Sequence, residues 1–277
     1  MRALTAALFW LLATVSLAAA VPTGWAQYNL IDGDGYARLA ERAAGQPGLQ
    51  DAVAAELSAQ TVQLIRGAGF SVDPSSVRQA AREYTAGPSF PTQFVRVNRD
   101  GHAWLLNVGD PGPWEIDVAP MLRDDAFAQL LSDYPVTVPA SMTVPLTSTS
   151  TEVMRPAGLH RLPVWGPMLS VVLAAMTGLC AVCTLVAARH RGRALAGLGV
   201  SALLVGAGAW SVIEVGRRYL DQLLNQATGD IRRIADAMVD AAEGSLHLCL
   251  SLTLATGGAL VLVGVGVALM GGLRKSK

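Results

Sequence analysis

The side chains able to do chemistry in this chain are few, and none sits in a recognised catalytic spacing. His102 stands in the stretch Asn98-Arg99-Asp100-Gly101-His102, and Asp117 stands between Ile116 and Val118, shortly before Pro120. A histidine and a carboxylate brought together by folding can act as a general base and its orienting partner. Such a pocket would suit an extracytoplasmic hydrolase or a lipid-handling factor. No Gly-x-Ser-x-Gly, His-Glu-x-x-His or glycine-rich phosphate loop accompanies the pair, and those are the spacings that would supply a nucleophile, a metal or a bound phosphate. The simpler expectation for His102 is a hydrogen bond that stabilises the fold.

Other candidates reduce to structural roles. Cys180-x-x-Cys183 has the spacing of a redox or metal pair, but both thiols, like Cys249, lie among Leu, Ala and Val in apolar runs. A thiol there behaves as a small hydrophobe, and no further zinc ligands appear nearby. Asp32-Gly33-Asp34-Gly35 opens like a calcium loop and lacks the later ligands and the terminal Glu, so it reads as a capping turn. Glu214 borders an apolar run three and four residues before Arg217 and Arg218, the spacing of a helical ion pair. Catalytic residues, cofactors and metals are therefore not expected, and the scarcity of polar residues inside the apolar runs disfavours a transporter or channel.

The elements that would position these residues follow from composition. Of 277 residues, 52% are hydrophobic and only 15% charged, and mean hydropathy is +0.39. Soluble domains carry about a quarter charged residues, so the balance points to a membrane. A formal net charge of zero argues against a nucleic-acid partner, because phosphate neutralisation needs a basic surplus. No cysteine falls in the long polar region, which must fold without disulfides.

Four stretches reach the roughly 20 apolar residues of a spanning helix. They are an N-terminal signal anchor over 1–25 and spans over 163–188, 194–214 and 246–272. The first resembles a signal peptide, but its length, with Pro22 and Trp25 as an interfacial exit, favours an uncleaved anchor. Cationic residues set direction. Arg2 precedes the first span; Arg189, His190, Arg191 and Arg193 make the basic turn 189–193; and Arg274, Lys275 and Lys277 fill the tail 273–277. With four spans all three clusters share one side. Both termini are then cytoplasmic, in a bacterial cytoplasmic membrane, and 26–162 and 215–245 are extracytoplasmic. Gly192, Gly199 and Gly206, and Gly257, Gly264 and Gly271, recur every seven residues and suit close helix packing, within the chain or between copies.

Segment 26–162 reads as an α+β domain. Helical spacing runs through Tyr36 to Ala43, Val53 to Ile65, Asp73-Pro74 to Tyr84, and Phe94 to Leu106, the last weakened by Asp100-Gly101. Trp114 to Val118 and Met142 to Leu146 alternate like short strands around a helix from Asp124 to Ser132. Segment 215–245 predicts a helical hairpin with a heptad seam of Leu220, Leu224, Ala227, Ile231, Ile234, Met238 and Ala241, turning at Thr228-Gly229-Asp230. That seam needs a partner, most simply the large domain; Leu224 and Met238 are the candidate contact residues if it serves a second protein instead.

Several features are similar to a group of uncharacterised actinobacterial multi-pass membrane proteins. They are Trp25 with Asp34-x-Tyr36; Gln50-Asp51-Ala52-Val53; Phe94 with Asn98 and His102; Ile116-Asp117-Val118-Ala119-Pro120; and the Arg-rich turn before Ala194-Leu195-Ala196-Gly197-Leu198-Gly199. The pattern departs around Gly101 and Trp104, where the group implies a more continuous helix. The resemblance implies an N-terminal span, a helical extracytoplasmic domain and closing spans, and it implies no activity. The expectation is an α-helical membrane protein of the cell envelope, in contact with membrane lipid. Its external domain would bind an envelope protein partner, or a second copy of itself, as a scaffold or accessory subunit.

Overall fold

The computed structural model describes residues 2–106, 115–134, 136–145, 162–224 and 229–273. The chain divides into two compact units. One comprises 1–28, 163–219 and 243–277, and the other 29–162 and 220–242.

The first unit is built from four helices long and apolar enough to cross a membrane. They are α1 (Arg2–Ala26), and parts of three others numbered below in chain order. Helix α1 passes through Pro22 and runs into a π-helical turn, Gln27–Ile31. Hydroxyls of Thr14, Ser16 and Thr23 bond back to carbonyls of their own helix, the last to Ala19 at 2.6 Å. Groups so satisfied lose little in an apolar solvent.

The second unit is helical. Helix α2 (Gly33–Ala44) is capped by Asp32, whose Oδ1 accepts from Gly35 N–H at 2.7 Å, so the Asp-Gly repeat is a capping turn. Helix α3 (Pro47–Gly67) starts with Pro at its first position, and the chain leaves it through Gly69 at φ +89°, a left-handed conformation that glycine adopts freely. Helix α4 (Pro74–Ala86) combines an Asp73 cap with Pro74. Helix α5 (Ser89–Leu106) runs unbroken through Asp100-Gly101. One interior glycine costs about 1 kcal/mol, and α5 offsets this by burying Phe90 and Phe94 in the core.

Two short strands follow, β1 (Glu115–Asp117) and β2 (Thr143–Pro145), paired antiparallel with Ile116 opposite Val144. Between them lie α6 (Ala119–Leu122) and α7 (Asp125–Leu131), the latter capped by Asp124. The expected α+β domain is corrected here: among the described residues the β structure is one ribbon of three residues a side, with no sheet layer for helices to cover. The apolar alternation is too brief to extend it, and Val118 already turns to αR backbone to start α6. Trp114 and Leu146, the outer ends of the expected strands, lie outside the described residues.

Helices α8 (Leu162–Ala187), α9 (Arg191–Leu224) and α10 (Gly229–Leu273) complete the chain. The sequence pattern separates the spans from a hairpin at 215–245. Both arms of that hairpin are helical, and α9 and α10 continue without a break through residues 214 and 246, past Gly244 and Ser245. Ala227 and Thr228, part of the expected turn, lie outside the described residues.

The helical unit's core holds Leu39, Leu49, Leu57, Ile65, Tyr84, Phe90 and Phe127, all fully buried. Tyr84 meets Phe90 edge-on at 5.6 Å and Phe127 at 5.7 Å, the offset geometry that aromatic rings favour. Ile231, Ile234, Ala237, Met238 and Ala241 of α10 pack on this same core. The α10 part of the apolar seam thus packs inside its own unit, while the side chains of Leu220, Leu224 and Ala227 lie outside the described residues.

In the four-helix unit, glycine sets the packing of α9 on α10. A Cβ on Gly192 would stand 2.6 Å from the Gly264 carbonyl oxygen, and one on Gly264 2.7 Å from that of Gly192. The glycine repeats therefore pair within the chain. Side chains join α1 to α9: Trp10 Nε1 donates to the Gly197 carbonyl at 3.0 Å, and the Thr14 hydroxyl bonds that of Ser201 at 2.8 Å.

Candidate functional site

His102 and Asp117 are each committed to a separate structural task. His102 is on α5, half-buried, with its ring stacked on Tyr36 at 4.7 Å. Its Nε2–H donates to the Leu30 carbonyl at 2.9 Å. Tyr36 in turn donates its phenol to Asn98 Oδ1 at 3.4 Å, and burial raises the Tyr36 pKa. The group ties the π-helical turn and α2 to α5. Asp117 ends β1, and a single oxygen, Oδ1, accepts from Ala119 N–H at 3.0 Å and Met142 N–H at 2.8 Å. It thereby ties the end of β1 to the first residue of α6 and to the residue that leads into β2. Among the described residues no hydrogen bond joins His102 to Asp117, so the expected pocket around them is not formed by direct contact.

The remaining sequence candidates resolve in the same manner. Cys180 is buried and Cys183 partly so, both free thiols on α8, and among the described residues no cluster of three ligands for a metal occurs. Arg217 pairs with Glu243 of α10 at 2.8 Å, and the side chain of Arg218 lies outside the described residues. Met238 is partly buried and packs on the helical unit's core. Leu224 ends α9, and its side chain lies outside the described residues.

Of the direction-setting cations, Arg189, Arg191 and Arg193 are exposed around the short turn from α8 to α9. Arg2 opens α1. Arg274, Lys275 and Lys277 lie outside the described residues.

That turn borders a feature missed by the sequence reading. A cavity of about 850 Å³ opens in the four-helix unit, lined by Ala6, Ala7 and Trp10 of α1, Thr184 and Ala187 of α8, and Ala194 and Gly197 of α9. Arg189, His190 and Arg193 stand at it as well. Among the described residues none of these three cations has a carboxylate within 4.0 Å, whereas Arg217 does. Small side chains make the space: four of the lining positions just named are alanines. Trp10, bonded to Gly197, fixes its inner limit. The only sequence signal is a run of alanines facing a cluster of arginines across two distant segments, which has no meaning until the helices are assembled.

No protein-family model matches the chain, and neither a curated protein nor a solved structure matches it.

Proposed function

We propose that the chain is an integral protein of a bacterial cytoplasmic membrane whose helical unit, on the extracytoplasmic side, binds another envelope component as a scaffold or accessory subunit. The observation that carries this reading is the basic turn: Arg189, His190, Arg191 and Arg193 crowd the few residues from the end of α8 to the first turn of α9. Cationic residues beside spans are retained in the cytoplasm. The segments at the far ends of α8 and α9 then face outward, and these lead to the helical unit. Among the described residues the helical unit is the compact body outside the apolar helices, so recognition falls to it. Its surface carries exposed polar residues over a fully buried core, which suits a stable binding module.

Two measurements test the reading. A cysteine replacing Glu83 should react with a membrane-impermeant maleimide in intact cells, and one replacing His190 should react only after permeabilisation. The opposite pattern removes the orientation. Crosslinking in native membranes followed by purification should then bring down a second envelope protein. Recovery of uncrosslinked monomer alone would sink the scaffold reading.

A further inference from the structure

The cavity beside the basic turn combines two chemistries that one ligand class shares. One end presents Arg189, His190 and Arg193, all exposed and, among the described residues, without a carboxylate partner. The rest of the lining is mostly small and apolar, with Ala6, Ala7, Trp10, Ala187 and Ala194 beside the polar Thr184. The turn lies at the end of α8 and the start of α9, two of the four helices apolar enough to span, so the cationic end meets the headgroup layer and the apolar end the acyl layer. Guanidinium groups bind phosphate oxygens through charge-assisted, often bidentate, hydrogen bonds. We propose that this cavity binds one anionic phospholipid, its phosphate at Arg189 and Arg193 and its upper acyl chain along the alanine wall. The alanine wall decides for a lipid over free phosphate, which gains nothing from apolar lining. Basic pockets between spanning helices are suited to such headgroups. The α1 side of the cavity is fixed by the Trp10 and Thr14 bonds to α9, so the site is formed before the ligand arrives. The inference does not depend on the scaffold reading, because the cavity serves whichever leaflet carries the basic turn.

The test is native mass spectrometry of the full chain in mild detergent, with phosphatidylglycerol or phosphatidylcholine added at equal concentration. The intact protein should retain one phosphatidylglycerol with a preference of about tenfold, the factor expected from one charged hydrogen bond. R189Q/R193Q should abolish the preference. Because that variant removes charges that orient the spans, Ala187→Phe is the decisive partner: it sets a bulky ring into the alanine wall beside the cations, keeps every charge, and should also weaken retention of the single lipid. Equal retention of the two lipids by the unaltered protein would overturn the proposal, as would full retention by Ala187→Phe. Displacement of the lipid by millimolar inorganic phosphate would overturn it too, by assigning the cations to free phosphate.

Discussion

Gly199 and Gly257 face each other so closely that neither has room for a single methyl group. A Cβ on Gly199 would lie 2.6 Å from the Gly257 carbonyl oxygen, and one on Gly257 would lie 2.9 Å from that of Gly199. The obstructing atoms are backbone, which cannot swing aside as a flexible side chain would. In lipid, where burying apolar surface brings no gain, such close approach is what holds two helices together.

Substitution at these positions should therefore be costly in proportion to the space lacking. Gly199→Val and Gly264→Val should each destabilise the four-helix unit by about 1–3 kcal/mol, the range for overpacking a filled interior. Gly208 and Gly258 lie on the same two helices, and a Cβ added at either would meet nothing within 4 Å. Gly208→Ala and Gly258→Ala should therefore be neutral or slightly stabilising. Detergent-solubilised unfolding by SDS titration checks both pairs. Equal tolerance at Gly199 and Gly208 would sink the packing account.

Asp117 should behave as a backbone acceptor. Both of its bonds, from Ala119 N–H and Met142 N–H, go to Oδ1, and an asparagine carbonyl can occupy that place. Asp117→Ala should cost about 1–3 kcal/mol through two donors left unpaired, and Asp117→Asn less than half as much. Thermal unfolding of the full chain gives the comparison. If the two variants are equally stable but both lose a cellular phenotype that the unaltered chain supports, the carboxylate has a chemical role and the structural assignment is wrong.

These cases show which parts of the structure were legible in the chain. The caps at Asp32 and Asp73 were readable because the bond closes within two or three residues of the Asp. The four apolar helices were readable because length and composition alone settle them. The two strands were readable from their alternation, but the α+β class drawn from them misled, since a ribbon of three residues a side makes no sheet layer. The partner of His102 was hidden because Leu30 is 72 positions away, and no local pattern encodes such a contact. The cavity was hidden for a related reason: an alanine marks empty space only when its neighbours across the helix packing are known.

The seam on α10 gives a third prediction. Met238 packs on the core of the helical unit together with Ile231 and Ile234. A photo-reactive residue at Met238 should crosslink to peptides from 29–162 of the same chain. Met238→Ala should destabilise that unit by about 1–2 kcal/mol, below the range for a fully buried Met because the side chain is only partly covered. Mass spectrometry of the crosslinked digest checks the first point. Links mainly to other proteins would show that the seam is a docking surface after all.

Alkaline pH should weaken the helical unit through Tyr84. Its side chain is fully buried, and its phenol donates to Gln93 Oε1 at 3.0 Å. Burial pushes its pKa well above the usual phenol value, and the nearby Asp124 charge pushes in the same direction. Unfolded, the phenol ionises near pH 10; folded, it keeps its proton. Above pH 10 the unfolded state therefore binds fewer protons than the folded state, and stability falls as pH rises. The contribution is complete below pH 10, and the slope approaches about 1.4 kcal/mol per pH unit above it. Tyr84→Phe should cost about 1 kcal/mol at neutral pH by losing the bond to Gln93, while flattening the alkaline decline. Some decline should persist, because burial raises Tyr36 as well. Urea unfolding of the full chain in detergent at pH 8, 10 and 11, followed by circular dichroism, separates the two effects. An unchanged alkaline slope in Tyr84→Phe would show that the loss arises from other groups.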